Sequence, residues 1–348
     1  METYILSDAQ NLFHRQSKMV SDAYGLDSMI GMCFHMVLHS MKKEYTRWGG
    51  THSVMFLEGR SWRKDIYPQY KANRKVASSL LTPKEQEKNK ILSEAFNDLI
   101  EYIHTSTNVT VLRSPNAEAD DMIAIWVESH PNDQHILVSS DSDFIQLLRF
   151  DNFKLYDPIK NILITREGVF DDDGNKLSFS LTTQTKIKVG PPDPDFVVDA
   201  NWYEYALFMK CVRGDKNDNI FSAYPGVREK GTKTTVGIKE AFGDIGNKGY
   251  SWNNFMNQRW VDHEDIEHQV KDKYEFNKKL IDLSLIPDYV KIQCLESIAE
   301  ETNREKVPAL TVGMSFIQFC GKWDLKRVGD NATEFMPMLK SKYQITNN

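Results

Sequence analysis

Cysteine is scarce in this chain of 348 residues: there are four, Cys33, Cys211, Cys294 and Cys320, and no CxxC pair. That spacing argues against a disulfide framework and a structural zinc site, and it suits a reducing cytoplasm. Long apolar runs are missing as well. No stretch approaches the ~18 residues that a transmembrane helix needs. The opening Met1-Glu2-Thr3-Tyr4-Ile5-Leu6 has no basic region ahead of an apolar one, so no secretory leader is expected. Repeats and low-complexity tracts are absent. So is an excess of positive charge: the net is −6, which by itself speaks against a nucleic-acid partner. The distribution says otherwise. Arg60 to Lys90 holds nine Lys or Arg against three acids, Asp65, Glu85 and Glu87. Such segregation suits acids that hold metals and bases that hold phosphates; the plainer alternative is a solvated basic face and a few acidic loops.

What is present is an alternation of short buried-type strands and longer helical stretches. Tyr4-Ile5-Leu6, Val54 to Leu57, Val109 to Leu112, Ile136 to Val138 and Phe153 to Tyr156 are short, β-branched or aromatic runs suited to fully buried parallel strands. Between them, residues 26–45 and 89–103 carry apolar stripes at helical spacing. This predicts an α/β fold, a mainly parallel twisted sheet with helices on both faces. Asp171 to Asn175 reads as a polar hairpin or loop. At Gly190-Pro191-Pro192-Asp193-Pro194 the texture changes, and helices are predicted over 202–213, about 234–243, 264–283 and 313–323. The predicted division is 1–195 and 196–348. His263 and His268 lie five apart in a polar helix and read as a solvated face. Met314, Phe316, Ile317, Phe319 and Trp323 read as a packed one.

Acids recur where strands end or helices begin: Asp8, Glu58, the run Glu118-Ala119-Asp120-Asp121, Asp141 with Asp143, and Asp215 with Asp218 in Gly214-Asp215-Lys216-Asn217-Asp218-Asn219. In an open α/β sheet the carboxyl ends of the strands face one crevice. Nine carboxylates converging there would repel one another unless divalent cations sat between them. Hard oxygen donors suit Mg²⁺ or Mn²⁺, and two such ions form a clamp for phosphodiester hydrolysis. In the basic segment, Arg60, Arg63, Lys64, Lys71, Arg74 and Lys75 alternate with Trp62, Tyr67 and Tyr70. That interleaving suits single-stranded nucleic acid, or else aromatics tucked into a core.

These residues together resemble the 5′-nuclease superfamily of flap endonucleases and 5′-3′ exonucleases. The segment Trp62-Arg63-Lys64-Asp65-Ile66-Tyr67-Pro68-Gln69-Tyr70-Lys71-Ala72-Asn73-Arg74 is similar to its arch-entry motif and looks most like the phage ribonuclease H/5′-nuclease branch. The resemblance covers roughly residues 3–245 and implies a PIN-like nuclease fold with a helical arch at about 60–90. It also implies a helix-three-turn-helix and a helical C-terminal region. It assigns Asp8, Glu58, Glu118, Asp120 and Asp121 to a first ion and its surroundings, and Asp141, Asp143, Asp215 and Asp218 to a second. The family has Asp where this chain has Glu58, whose longer arm would reach an ion directly or through water; Asp65 is the fallback there. Lys71 and Arg74 match positions at the scissile phosphate. Arg63, Lys64, Tyr70 and Lys75 would bind DNA at the arch, and Gly226, Gly231, Lys233 and Thr234 would bind duplex backbone, with K⁺ nearby. The implied substrates are DNA and RNA–DNA duplexes with 5′ ends or flaps, RNA primers included. The implied setting is replication or repair in the cytoplasm (a host's, if the chain is phage-encoded), beside a single-stranded-DNA-binding replication protein and with no membrane. Two alternatives stand against it. A haloacid-dehalogenase-type phosphatase would need an Asp two residues after its nucleophile, where Asp8 is followed by Ala9-Gln10. A non-catalytic DNA-binding relative would have no use for so many clustered carboxylates.

Overall fold

The computed structural model describes residues 1–20 and 25–344. The chain opens with β1 (Thr3–Asp8), α1 (Ala9–Met19), α2 (Leu26–Arg47) and β2 (His52–Phe56). There follow α3 (Arg63–Ile66), α4 (Ala72–Ser79), α5 (Pro83–Ser106), β3 (Thr110–Leu112), α6 (Ala119–Ser129) and β4 (Gln134–Val138). A 3₁₀ segment (Ser142–Arg149) leads to β5 (Phe153–Asp157). The five strands read from the sequence form the parallel part of one sheet, in the order β3-β2-β1-β4-β5. Every residue of β2 is buried, as expected of a strand with helices on both sides. Leu6 lies between Val54 and Leu137 in register. Strand order reverses between β1 and β4, so the crevice opens at their carboxyl ends.

Four antiparallel strands extend the sheet past β5: β6 (Ile162–Thr165), β7 (Gly168–Phe170), β8 (Lys176–Leu181) and β9 (Ile187–Pro192). The polar stretch 171–175 is the turn between β7 and β8. There the Asp171 carboxylate accepts the amides of Asp173 and Asn175, the local chemistry that makes Asp a turn residue.

Helices dominate thereafter: α7 (Trp202–Arg213), α8 (Ile238–Gly243), α9 (Tyr250–Met256), α10 (Val270–Ile281), α11 (Asp288–Thr302) and α12 (Ala309–Lys322). Two expectations need correction. The helix expected over 264–283 begins only at Val270, because Arg259–Val261 and Glu267–Gln269 pair as a hairpin. Its turn is made by Asp262, whose carboxylate accepts the amides of Glu264 and Ile266 and the ring of His268. The helix expected near 234–243 is the short α8, preceded by a loop in which Thr232 and Thr235 bond each other.

Two cores flank the sheet. On one side Met122, Trp126, Leu147 and Leu148 meet Val290, Cys294 and Ile298 of α11. On the other, Phe13, Phe34, Leu38 and Leu99 meet Phe316 and Phe319 of α12. Residues from the last third of the chain therefore complete cores built mostly by the first half. No helix among the described residues is long and apolar enough to cross a membrane.

Candidate metal and nucleic-acid site

A cleft of about 2660 Å³ opens at the carboxyl ends of β1 and β4. Asp8, Glu58, Asp120, Asp141, Asp143, Asp215 and Asp218 line it, together with Lys71, Arg74 and Lys210. Asp8 ends β1 and caps α1, its carboxylate accepting the Asn11 amide at 2.9 Å. Glu58 follows β2; its Oε2 accepts the Ala119 amide at 3.2 Å, and its own amide donates to Gln10 Oε1. Asp141 follows β4 and accepts the Asp143 amide. The loop after α7 carries Asp215 and Asp218, closed by paired backbone bonds between Asp215 and Ile220.

Crowded acids of this kind titrate abnormally. Burial, with Asp143 beside it, pushes the Asp141 carboxyl up to about 7. Burial, then Glu118 and Asp8 against the pull of Lys71, pushes Glu58 up to about 7. Asp8, Asp120 and Asp218 are also raised, chiefly by burial. Such groups are short of positive charge, and their hard oxygens fit Mg²⁺ or Mn²⁺. Glu118, Asp120 and Asp121 offer oxygens that all lie within 4.8 Å of one another.

Asp121, however, is turned inward and 0% exposed. Its two oxygens accept both terminal nitrogens of Arg63 (2.8 and 2.9 Å), the Trp62 indole N–H (3.1 Å) and the Glu118 amide (3.1 Å). It belongs to the surroundings of an ion, since ligating one would require giving up Arg63. Glu118 is shared: Oε2 takes Arg63 and Ser61, while Oε1 takes Lys71. Against the upward push of burial, Lys71 and Arg63 hold its carboxyl below the usual range. Asp65, the fallback, pairs with Arg60 at the surface and does not line the cleft.

The arch entry departs from expectation. Arg63 is 2% exposed, and besides the two acids it donates to the Leu280 carbonyl at 2.7 Å. It is an internal counter-ion, with no surface to offer a phosphate. Tyr70 and Trp62 are likewise buried at 2% and 3%. Tyr70 donates its hydroxyl to Asp218 Oδ2 at 3.0 Å, so neither ring is a platform for bases. Lys64 and Lys75 are exposed. Lys71 sits on Glu118 and lies 3.9 Å from Asp218, while Arg74 bonds Asp218 Oδ1 at 2.8 Å. Past the acidic loop, Gly226 lines the cleft at φ 72°, a conformation open to glycine. The Gly231 amide is already bonded to Glu240, which caps α8 through Gly237. Lys233 and Thr234 are exposed.

One residue escaped the sequence reading. Lys210, 8% exposed, bridges Asp143 and Asp215, the latter at 2.8 Å. Burial disfavours its charge, yet the acids around it raise its pKa. Its position five residues before Asp215 in an otherwise amphipathic helix was the available signal.

Residues 3–174, about half of the chain, match the 5′-3′ exonuclease N-terminal resolvase-like domain. The chain belongs to the 5′-nuclease superfamily. This nuclease is 25% identical over 297 residues to ribonuclease H of Enterobacteria phage T4, covering 80% of its own length and 79% of that relative. To the flap endonuclease Xni of Psychromonas ingrahamii it is 28% identical over 179 residues, or 50% of its own length and 63% of the relative's. The fold is similar to that of the bacteriophage T5 flap endonuclease in a pseudo-enzyme-product complex with DNA and metal ions. That comparison has a TM-score of 0.56 at 16% identity and covers 87% of this nuclease and 100% of that chain. The nuclease is thus a divalent-metal-dependent hydrolase of phosphodiesters.

Proposed function

We propose that the nuclease cuts DNA and RNA–DNA duplexes at 5′ ends and flaps, as 5′-3′ exonuclease and flap endonuclease, with ribonuclease H activity on RNA primers. One observation carries this proposal: the lined-up acids at the carboxyl ends of β1, β2 and β4 and in the 215–218 loop, with Lys71 and Arg74 at the same mouth. Two divalent ions held among Asp8, Glu58, Glu118, Asp120, Asp141, Asp143, Asp215 and Asp218 would supply the Lewis acidity that activates water and neutralises the leaving oxygen. The side chains do the rest. Lys71 and Arg74 already sit on carboxylates, so an arriving phosphate exchanges one set of negative oxygens for another without moving the cations far. Both then stabilise charge that builds on the phosphate. Lys210 balances Asp143 and Asp215 within the cleft and would keep them close enough to share an ion.

Residues 1–195 would form the nuclease body and 196–348 the duplex-binding and C-terminal part. Lys64 and Lys75 would guide the 5′ strand, while Gly226, Lys233 and Thr234 would hold duplex phosphates with K⁺ beside them. On family grounds the proposal extends to replication or repair in the cytoplasm beside a single-stranded-DNA-binding protein. Product mapping on 5′-labelled flap, nicked and RNA-primed duplexes, with Mg²⁺ and with EDTA, tests it. Cleavage near the 5′ junction that EDTA stops is the expected result. Cleavage from 3′ ends, or none, rejects it.

A further inference from the structure

Two segments about 145 residues apart in sequence are stitched together at the mouth of the cleft. The Tyr67 hydroxyl donates to the Asn219 carbonyl at 3.0 Å, and the Asn219 amide side chain donates to the Gln69 carbonyl at 2.9 Å. The Lys71 amide donates to the Asp218 carbonyl at 3.0 Å. Asn73 then spans the crest of the acidic loop, its Nδ2 donating to the carbonyls of Lys216 and Asn217, each at 3.1 Å. Both segments reverse through non-glycine residues at positive φ, Lys71 at 56° and Asn219 at 62°. Left-handed backbone is costly for such residues and persists where neighbours over-determine it. The cross-bonds do so here.

The bonds differ in what they hold. Those of Tyr67, Gln69 and Lys71 grip the end of the loop, at Asp218 and Asn219. The crest at 216–217 has one tie to the arch root among the described residues, the Asn73 carboxamide. Asp215 and Asp218 flank that crest. Asn73 itself does not line the cleft.

We infer that Asn73 is a positioning residue that fixes the Asp215–Asp218 loop against the root of the arch, keeping the loop's carboxylates in step with the cations Lys71 and Arg74. The inference rests on the nuclease reading for what the carboxylates do, but the clasp is geometric. A loop released at its crest lets Asp215, whose carboxylate accepts the Asn217 amide, drift while Asp218 stays gripped, which weakens ion binding and the rate of the bound complex. It leaves the phosphate contacts of the ground state in place. The expected signature is a loss in kcat with KM little changed.

The test uses Asn73→Ala and Asn73→Gln, the second keeping both N–H donors on a longer arm. Mn²⁺ occupancy is counted by electron paramagnetic resonance without substrate. Single-turnover cleavage of a flapped duplex is followed across Mg²⁺ concentration, and duplex affinity is measured in Ca²⁺. For Asn73→Ala we expect weaker binding of one Mn²⁺ and about a tenfold slower cleavage, the scale of two lost hydrogen bonds. Duplex affinity should move less than about twofold, and Asn73→Gln should recover most of the Mn²⁺ binding. Unchanged Mn²⁺ binding and rate in Asn73→Ala would overturn the inference. So would a loss of duplex affinity with the saturated rate unchanged, which would make Asn73 a phosphate contact. If the unsubstituted protein fails to cleave, the nuclease reading falls while the Mn²⁺ count still decides whether Asn73 holds the loop.

Discussion

At the scale of single residues, Arg63 and Lys71 show how neighbours in one basic motif divide the work. Both contact Glu118, yet one is sealed in and the other opens on the cleft. Removing Arg63 strands Asp121 and part of Glu118 without their counter-charge, and a broken buried pair costs about 3–5 kcal/mol. Arg63→Ala should therefore lower the midpoint of chemical unfolding markedly. The fraction that remains folded should still bind duplex with ordinary affinity, as titration below the transition would reveal. A soluble, stable Arg63→Ala that binds DNA poorly would return Arg63 to the surface. On the proposed function Lys71 would act on the reacting phosphate instead. Its loss removes a contact that strengthens as charge builds, worth on the order of 3 kcal/mol or roughly a hundredfold in rate. Lys71→Ala should slow single-turnover cleavage far more than it weakens substrate binding. Equal losses in affinity and kcat/KM, with kcat intact, would reduce Lys71 to a binding residue. The motif was legible as a motif, but its orientation was not. A run such as Trp62-Arg63-Lys64 has the same composition whether it faces inward or outward. Only the acids it meets, 55 or more positions on, decide.

At the scale of elements, the parallel strands and the acids at their ends were readable because burial on both faces leaves a plain signature, a short β-branched run that stops at a charge. The β6–β9 extension was not. β8 and β9 are partly exposed and mix polar with apolar residues, as in Lys176-Leu177-Ser178-Phe179-Ser180-Leu181, where only Leu177 is buried, and the more buried β6 and β7 are only four and three residues long. The hairpin at 259–269 was hidden for a similar reason, since Asp262 supplies the turn from a side chain that also fits a polar helix. Before α8, Gly226 and Gly231 drew attention as phosphate binders, but Glu240 occupies the amide of Gly231. Lys233 is exposed on the same loop, and on the proposed function it is the cation there that would meet a phosphate. Lys233→Ala should weaken every duplex alike and reduce the slope of log affinity against log salt by about one. The salt series on two unrelated duplex sequences decides it; an effect confined to free single strands would place Lys233 elsewhere on the nucleic-acid path.

Across the whole molecule, two groups of titrating residues sit at opposite ends of the central strands and pull stability in opposite directions with pH. At the amino end, His52, His130 and His135 surround Tyr4, with ring centroids 6.3, 5.4 and 5.6 Å from it. Burial holds His52 down at about 3 and His135 at about 4, and it lowers His130 as well. Their folded values lie below the unfolded one of ~6.5, so the stability they contribute is full above that pH and is lost as pH falls. At the carboxyl end, Glu58 and Asp141 are raised to about 7. The folded state then holds more protons than the unfolded one between ~4 and 7, and the strain of ionising them eases as pH falls. Without ions the two slopes oppose each other between about pH 4.5 and 6.5, and the melting temperature should change little there. Divalent ions replace the protons at the carboxylates and cancel only that half. With saturating Mg²⁺ the protein should melt higher at pH 8, by on the order of 5 °C, and lose the advantage below about pH 7 as protons take the carboxylates the ions held, while the histidines lower both curves. Thermal melts from pH 8 to 5, in EDTA and in Mg²⁺, make the comparison, and converging curves are the expected result. Parallel curves would mean that the ions do not compete with protons at Glu58 and Asp141, and would remove those two residues from the metal site.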